Sequence, residues 1–269
     1  MKRLVRIERS GVHIVGCVEG TIAFGFTERT GGVSTPPFAS LNLGTHVGDD
    51  PQAVAENRRR VLRAVGASSC AENLLVPNQV HGDHVAVVRS SDPSVLEAVR
   101  AEIADGSDAI VCTAPDVPVM LCFADCVPVI LTAPGGFAVV HSGWKGTYAG
   151  IAGTAARVLA REASCAPGEL CAYIGPHILG DEYEVSPELI DRFDARFEDA
   201  HPSGSRLLDL SRCIVQSLVE AGVPEASVAD TGLSTIRQND RFFSYRAEAG
   251  TCGRHAAVAI MRSSMNDGA

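Results

Sequence analysis

The chain has 269 residues, 46% hydrophobic and 20% charged, a length and balance that suit one large globular, soluble domain spanning residues 1–269. Lys plus Arg number 23 against 32 Asp plus Glu, a formal charge of -9, so no broad basic face is expected to follow phosphates along a nucleic acid. MKRLVRIERS is followed by no apolar h-region and no small-residue cleavage site, and 18 uncharged apolar residues never run together; a cytoplasmic chain without a membrane partner is expected. Nine Cys without a single C-x-x-C spacing read as reduced thiols.

In chain order, residues 21–50 begin as a short strand and then consist almost wholly of turn residues, a long loop of the kind that carries function. Asp50-Pro51 predicts a helix start, N-cap followed by Pro at the first helical position. Val54, Val61, Leu62 and Val65 then share one face, and Arg58 falls in the middle of that stripe while Arg59 and Arg60 turn away. Residues 74–80 and 84–90 read as strands meeting around 78–83, and residues 94–103 as a helix. Four β-rich runs follow at 108–113, 117–123, 127–132 and 136–141. After His141 the text becomes helical from 147 to 162, so His141 stands where a strand hands over to a helix. A strand at 171–176, helices at 187–197 and 210–222, and strands at 241–245 and 256–261 complete the reading. Strands and helices mix without strict alternation, which defines an α+β fold rather than a doubly wound one.

Three polar residues stand at the edges of apolar runs: His81 in NQVHGDHV, Cys126 in FADCVPV and His141 in VVHSGW. Two imidazoles and a thiolate with a fourth position open form a first shell for catalytic zinc. The same residues also fit a turn-capping His81, an inert buried Cys126 and a core His141, or a Cys126 nucleophile with His141 as its base. Asp125 points away from Cys126 if both lie on an extended strand, and either orients a ligand or caps a turn. Arg58 cannot lose its charge, so burying it calls for a carboxylate partner or a substrate phosphate. Lys145, one turn beyond His141, can hold an anion at a helix N-terminus or remain solvated. SGWKG lacks the P-loop spacing, so ATP hydrolysis is not indicated.

The segments TERTGGVSTPPFASLNLGTHVGDDP, ENR, NQVHG, FADCVPV, HSGWKGTYAGIAG, IGPHI and FFSYR follow in an order and spacing that resembles the YfiH family across about residues 20–262. Proteins of that family are described both as laccase-domain polyphenol oxidases and as purine nucleoside phosphorylases. The resemblance implies mixed β-sheets flanked by helices, layered α/β/β/α. It implies one zinc on His81, Cys126 and His141, with Arg58 in a purine-nucleoside pocket. It also implies phosphorolysis of adenosine, inosine and methylthioadenosine, with deamination of adenosine. Asp125 and Tyr245 are candidates for the proton donor to the departing base. Two departures are visible: Glu182 and Ser234 stand where many relatives carry Cys. Alternatives are an amidase editing cell-wall precursors, a non-catalytic purine-binding protein, and a copper oxidase, for whose four-copper cluster 8 His are scarcely enough.

Overall fold

The computed structural model describes residues 2–202 and 204–263. An antiparallel meander of β1 (Val5–Arg9), β2 (Val12–Glu19) and β3 (Ile22–Thr27) opens the chain. The long loop that follows ends at Asp50, whose side chain accepts the Gln52 N–H and starts α1 (Pro51–Ala64) as the capping signal predicts. Then come β4 (Val85–Val88), α2 (Pro93–Asp105), β5 (Ala109–Cys112), β6 (Val119–Phe123), β7 (Val127–Ala133) and β8 (Gly136–Ser142). The second half holds α3 (Trp144–Ala149), α4 (Ile151–Glu162), β9 (Cys171–Ile174), α5 (Pro187–Asp194), α6 (Leu210–Glu220), β10 (Val228–Asp230) and β11 (His255–Met261).

Two sheets result. One is antiparallel throughout, in the order β1-β2-β3-β11-β6; the other is mixed, in the order β10-β9-β7-β8-β5-β4. Strands β5 to β8 are buried at every position, which is why they read as continuous apolar runs without alternation. Phe24 and Phe26 of the first sheet meet Ile130, Phe137, Val139 and Tyr173 of the second in a core between the sheets. On the outer face of the second sheet, Ala155, Ala156 and Leu159 of α4 and Ile214 and Leu218 of α6 cover Val129, Leu131 and Val140. Val61, Leu62 and Val65 at the end of α1 cover the outer face of the first sheet. The layering is α/β/β/α, and the fold is α+β as the sequence indicates.

Several local readings are corrected. Residues 74–80 contribute one bridge, Leu75 to Val119, rather than a strand. Pro77 has no N–H for a ladder, and the Gln79 amide turns sideways to bind the backbone N–H and C=O of Cys122, both at 2.8 Å. Residues 241–245 are turns, not a strand. The Phe242 N–H returns to the Gln238 carbonyl at 2.9 Å, and the Glu248 carboxylate takes the Ser244 N–H, so side chains and tight turns use the groups a strand would need. Phe242 and Phe243 are nonetheless fully buried. The helix expected over 147–162 is two helices, broken at Gly150, which adopts φ 79. Strands β1, β2 and β10 carried too little pattern to be anticipated. All nine cysteines are free thiols. No helix among the described residues is long and apolar enough to cross a membrane.

Candidate metal centre

The β7 and β8 strands set the site. They pair antiparallel with Pro128 opposite His141, so Cys126, just before β7, lies across from Gly143, just after β8. Side chains alternate along a strand, and His141 therefore follows Phe137 and Val139 onto the face between the sheets, while Cys126 shares the side of Ile130. The two meet at one open end of the sandwich. His81 arrives from the loop before β4, held at φ 59, and the ligand atoms of His81, Cys126 and His141 all lie within 4.8 Å of one another. The His81 and His141 rings meet edge-on with centroids 4.8 Å apart. His81 is exposed, Cys126 half-buried and His141 buried, so the cluster opens to solvent on the His81 side.

The small residue between them is required. A methyl at Gly143 would sit 3.0 Å from His81 Cδ2 and 3.2 Å from Cys126 Sγ, tighter than side chains normally tolerate. Asp108, buried at the start of β5, ties the cluster together and was not among the residues the sequence singled out. Its Oδ1 accepts the His141 Nδ1–H at 2.7 Å and the His81 N–H at 3.0 Å; its Oδ2 accepts the N–H groups of Gly82 at 2.7 Å and Val80 at 3.2 Å. One carboxylate thus fixes the His141 tautomer, leaving Nε2 facing the cluster, and shapes the loop that delivers His81. The only sequence signal for it is an Asp beside a wholly apolar strand.

Burial works to raise the pKa of Asp108, but the hydrogen bond and charge of His141 and the Gly82 and Val80 N–H groups hold it below the ordinary carboxylate value. Burial likewise opposes ionisation of Cys126, yet the neighbouring His141 and His81 bring its thiol down to about 6. His141 moves the other way: burial disfavours its charge, but Cys126 and Asp108 favour it and raise the imidazole. Thiolate and imidazolium stabilise each other.

The other predicted site residues fall as follows. Arg58 does not lie in the middle of the buried stripe of α1 as its spacing predicts: it is half-buried at the edge, and the neighbouring Asn57 is fully buried in its place. Asn57 donates to Ser34, Ser40 and Asn42 and accepts from the Val33 N–H, binding the long loop to the helix. Arg58 donates from Nε and Nη2 to the Leu43 carbonyl at 3.0 and 2.8 Å, and among the described residues no carboxylate pairs with it. Asp125, at φ 88, accepts from Thr235 Oγ1 and from the Arg246 N–H, both at 2.7 Å, so its hydrogen bonds run to two neighbouring loops. Lys145 is exposed on the six-residue α3, its Nζ 5.6 Å from the centre of the Trp144 ring. Tyr245 is exposed, with the Arg254 guanidinium 5.8 Å from the centre of its ring. The two departures from the family pattern touch each other: Ser234 Oγ lies 2.7 and 2.8 Å from the Glu182 carboxylate oxygens, which also accept the Leu179 N–H and pair with Arg237.

A two-sheet α+β sandwich with a His-Cys-His cluster at the end of its strands defines a class of protein able to bind a metal ion at that cluster. The chain belongs to the family described as multi-copper polyphenol oxidoreductase laccase, whose sequence profile matches residues 23–262. Among relatives, it is 35% identical over 247 residues to the purine nucleoside phosphorylase YlmD of Geobacillus stearothermophilus, covering 88% of this chain and 89% of that one. A purine nucleoside phosphorylase of Deinococcus radiodurans is 35% identical over 253 residues, covering 92% of each chain. The crystal structures of YfiH from Bacillus licheniformis and of the Geobacillus YlmD each superpose with a TM-score of 0.84 at 31% identity. The first covers 96% of this chain and 98% of its own, the second 97% and 99%.

Proposed function

We propose that the chain is a zinc-dependent purine nucleoside phosphorylase that also deaminates adenosine. The observation that carries the reading is the His81–Cys126–His141 cluster, preorganised by Asp108, in a chain whose relatives bear the name purine nucleoside phosphorylase. The donor set fits zinc: two imidazole nitrogens and one thiolate, with tetrahedral bond lengths of about 2.0 to 2.3 Å that place ligand atoms about 3.3 to 3.7 Å apart, inside the observed limit. The lowered Cys126 thiol supplies the thiolate such an ion needs. A four-copper oxidase needs further clustered donors, and among the described residues this is the one group of three.

Bound zinc would supply a Lewis acid that lowers the pKa of water toward about 7, the chemistry that deamination at C6 of adenine calls for. The chain's own residues do the rest. Arg58, with no carboxylate of its own, holds anionic or polar substrate groups at the rim. In phosphorolysis the bond between the anomeric carbon and N9 breaks with its electron pair going to the base. A phosphate oxygen forms the new bond to that carbon, and the proton of hydrogen phosphate ends on the base. The products are free base and ribose 1-phosphate. Asp125 holds the loops carrying Thr235 and Arg246 against the turn that carries Cys126.

Incubating the purified zinc-loaded protein with adenosine and phosphate is expected to release adenine, together with inosine and hypoxanthine, resolved by chromatography. Cys126→Ala is expected to lose at least 100-fold in both products. No turnover by the wild type, or undiminished turnover by the variant, would refute the assignment.

A further inference from the structure

Two residues that the sequence did not single out stand beside Arg58. Pairing of His255 with Phe123 puts Arg254, one residue before β11, opposite Ala124, two residues before Cys126. The Arg254 guanidinium donates from Nη1 alone, to the carbonyls of Cys252 at 2.9 Å and Gly253 at 3.0 Å and toward Cys252 Sγ at 3.4 Å. Its Nε and Nη2 have no protein acceptor among the described residues, and like Arg58 it has no carboxylate partner.

The loop that carries His46 runs between the two arginines. The Leu43 carbonyl takes Arg58, and a methyl at Gly44 would lie 2.8 Å from Arg254 Cγ and 3.4 Å from His46 Cε1, so Arg254 and His46 both pack over that glycine. The buried Asn42 fixes the loop, accepting the N–H groups of Gly44 and Arg254 and donating to the Gly44 carbonyl and the Asp49 carboxylate. Partial enclosure first, then the charges of Arg254 and Arg58, push the His46 pKa below its ordinary value, in keeping with its place on the loop between the two arginines. Two guanidiniums held by backbone carbonyls and cysteine sulfur, with no carboxylate partner among the described residues and an imidazole on the loop between them, make a net positive seat with donors to spare in a protein of charge -9.

We infer that Arg58, Arg254 and His46 form the seat of an oxyanion, inorganic phosphate, at the rim of the metal centre. The inference rests on the phosphorolysis proposed above and assigns its second substrate a place. Arg254 binds phosphate directly, and His46 donates one hydrogen bond to it. The nucleoside then lies between this seat and the His81–Cys126–His141 cluster.

The test uses the full-length, zinc-loaded protein with inorganic phosphate alone, followed by phosphorus NMR or calorimetry, and then steady-state phosphorolysis of inosine. Arg254→Gln is expected to weaken phosphate binding 10- to 100-fold and raise KM for phosphate to match, with KM for inosine changed less than threefold. Arg254→Lys should recover part of the loss, and zinc content and far-UV circular dichroism should stay at wild-type values. Addition of phosphate should raise the pKa of His46, read from its ring proton shift. Phosphate binding unaffected by Arg254→Gln, or KM values for inosine and phosphate rising together, overturns the seat even if phosphorolysis is found. Tight phosphate binding lost in Arg254→Gln, with no phosphorolysis by the wild type, keeps the seat and removes the phosphorylase reading. A misfolded Arg254→Gln passes the decision to His46→Gln, whose phosphate affinity must fall at least threefold.

Discussion

Asp108 is buried at the side chain yet carries its charge, because four donors converge on its two oxygens. Asp108→Asn would keep the shape but put an NH2 group where one oxygen accepts, leaving either His141 Nδ1 or the 80–82 backbone facing a donor. Carboxylates that orient a ligating histidine are worth about 10- to 100-fold in metal affinity. Asp108→Asn is therefore expected to weaken zinc binding by that factor, measured by competition with a chromophoric chelator, while the fold is retained; unchanged affinity would show that the carboxylate does not orient the centre. The three members of the cluster could be picked out because His and Cys at the borders of apolar runs are chemically conspicuous. Asp108 was not, since a lone Asp before a strand reads as a turn residue, and its four partners come from residues 80, 81, 82 and 141. Arg254 and His46 were hidden for a related reason. An arginine or a histidine is ordinary in any sequence, and only the absence of a neighbouring carboxylate in the folded chain makes these two notable.

At the scale of elements, the strands buried at every position, β5 to β8, were legible, whereas β1 and β10 at sheet edges and β2 beside β1 were not. Strand β1 is exposed at four of its five positions, so no hydrophobic period announces it. It is secured instead by a long-range ion pair. Glu28, just after β3 and 1% exposed, accepts Arg6 of β1 at 2.7 and 2.8 Å and also Arg241 from the turns before β11. Burial raises the Glu28 pKa, but the hydrogen bonds and charges of Arg6 and Arg241 overcome it and leave the carboxyl below its ordinary 4.5. A carboxyl with a lower pKa folded than unfolded binds fewer protons when folded. Its contribution is complete above about pH 4.5 and fades as pH falls through the folded value. Glu28→Gln is expected to cost about 2 kcal/mol at pH 7, in line with charged hydrogen bonds to a buried group. Urea denaturation should show the gap between wild type and variant shrinking as pH drops below 4.5; a gap independent of pH would mean that the charge of Glu28 contributes nothing.

Across the whole molecule, the centre occupies the mouth of a two-sheet sandwich where β6, β7, β8 and β11 all begin or end. The α+β class followed from the mix of apolar runs and helices, and the layering from the family resemblance, whereas the strand order could not be read locally, because β11 inserts between β3 and β6 from the far end of the chain. That topology places His81, Cys126 and His141 on segments that must each fold before the ligands meet. A metal bound there stabilises the folded chain and not the unfolded one. At free zinc 100 times its dissociation constant, the linkage amounts to about 2.7 kcal/mol. In a chain of this length each kcal/mol moves the melting temperature by about 2 to 4 °C, so removing zinc with a chelator should lower Tm by about 5 to 10 °C and returning it should restore the difference. Cys126→Ala is expected to melt at the same temperature with or without chelator, since it has lost the thiolate that anchors the ion. If the wild type, shown by metal analysis to have lost its zinc, melts where the loaded protein does, the three segments are held together without the metal. The cluster would then owe its geometry to Asp108 and the strand register alone.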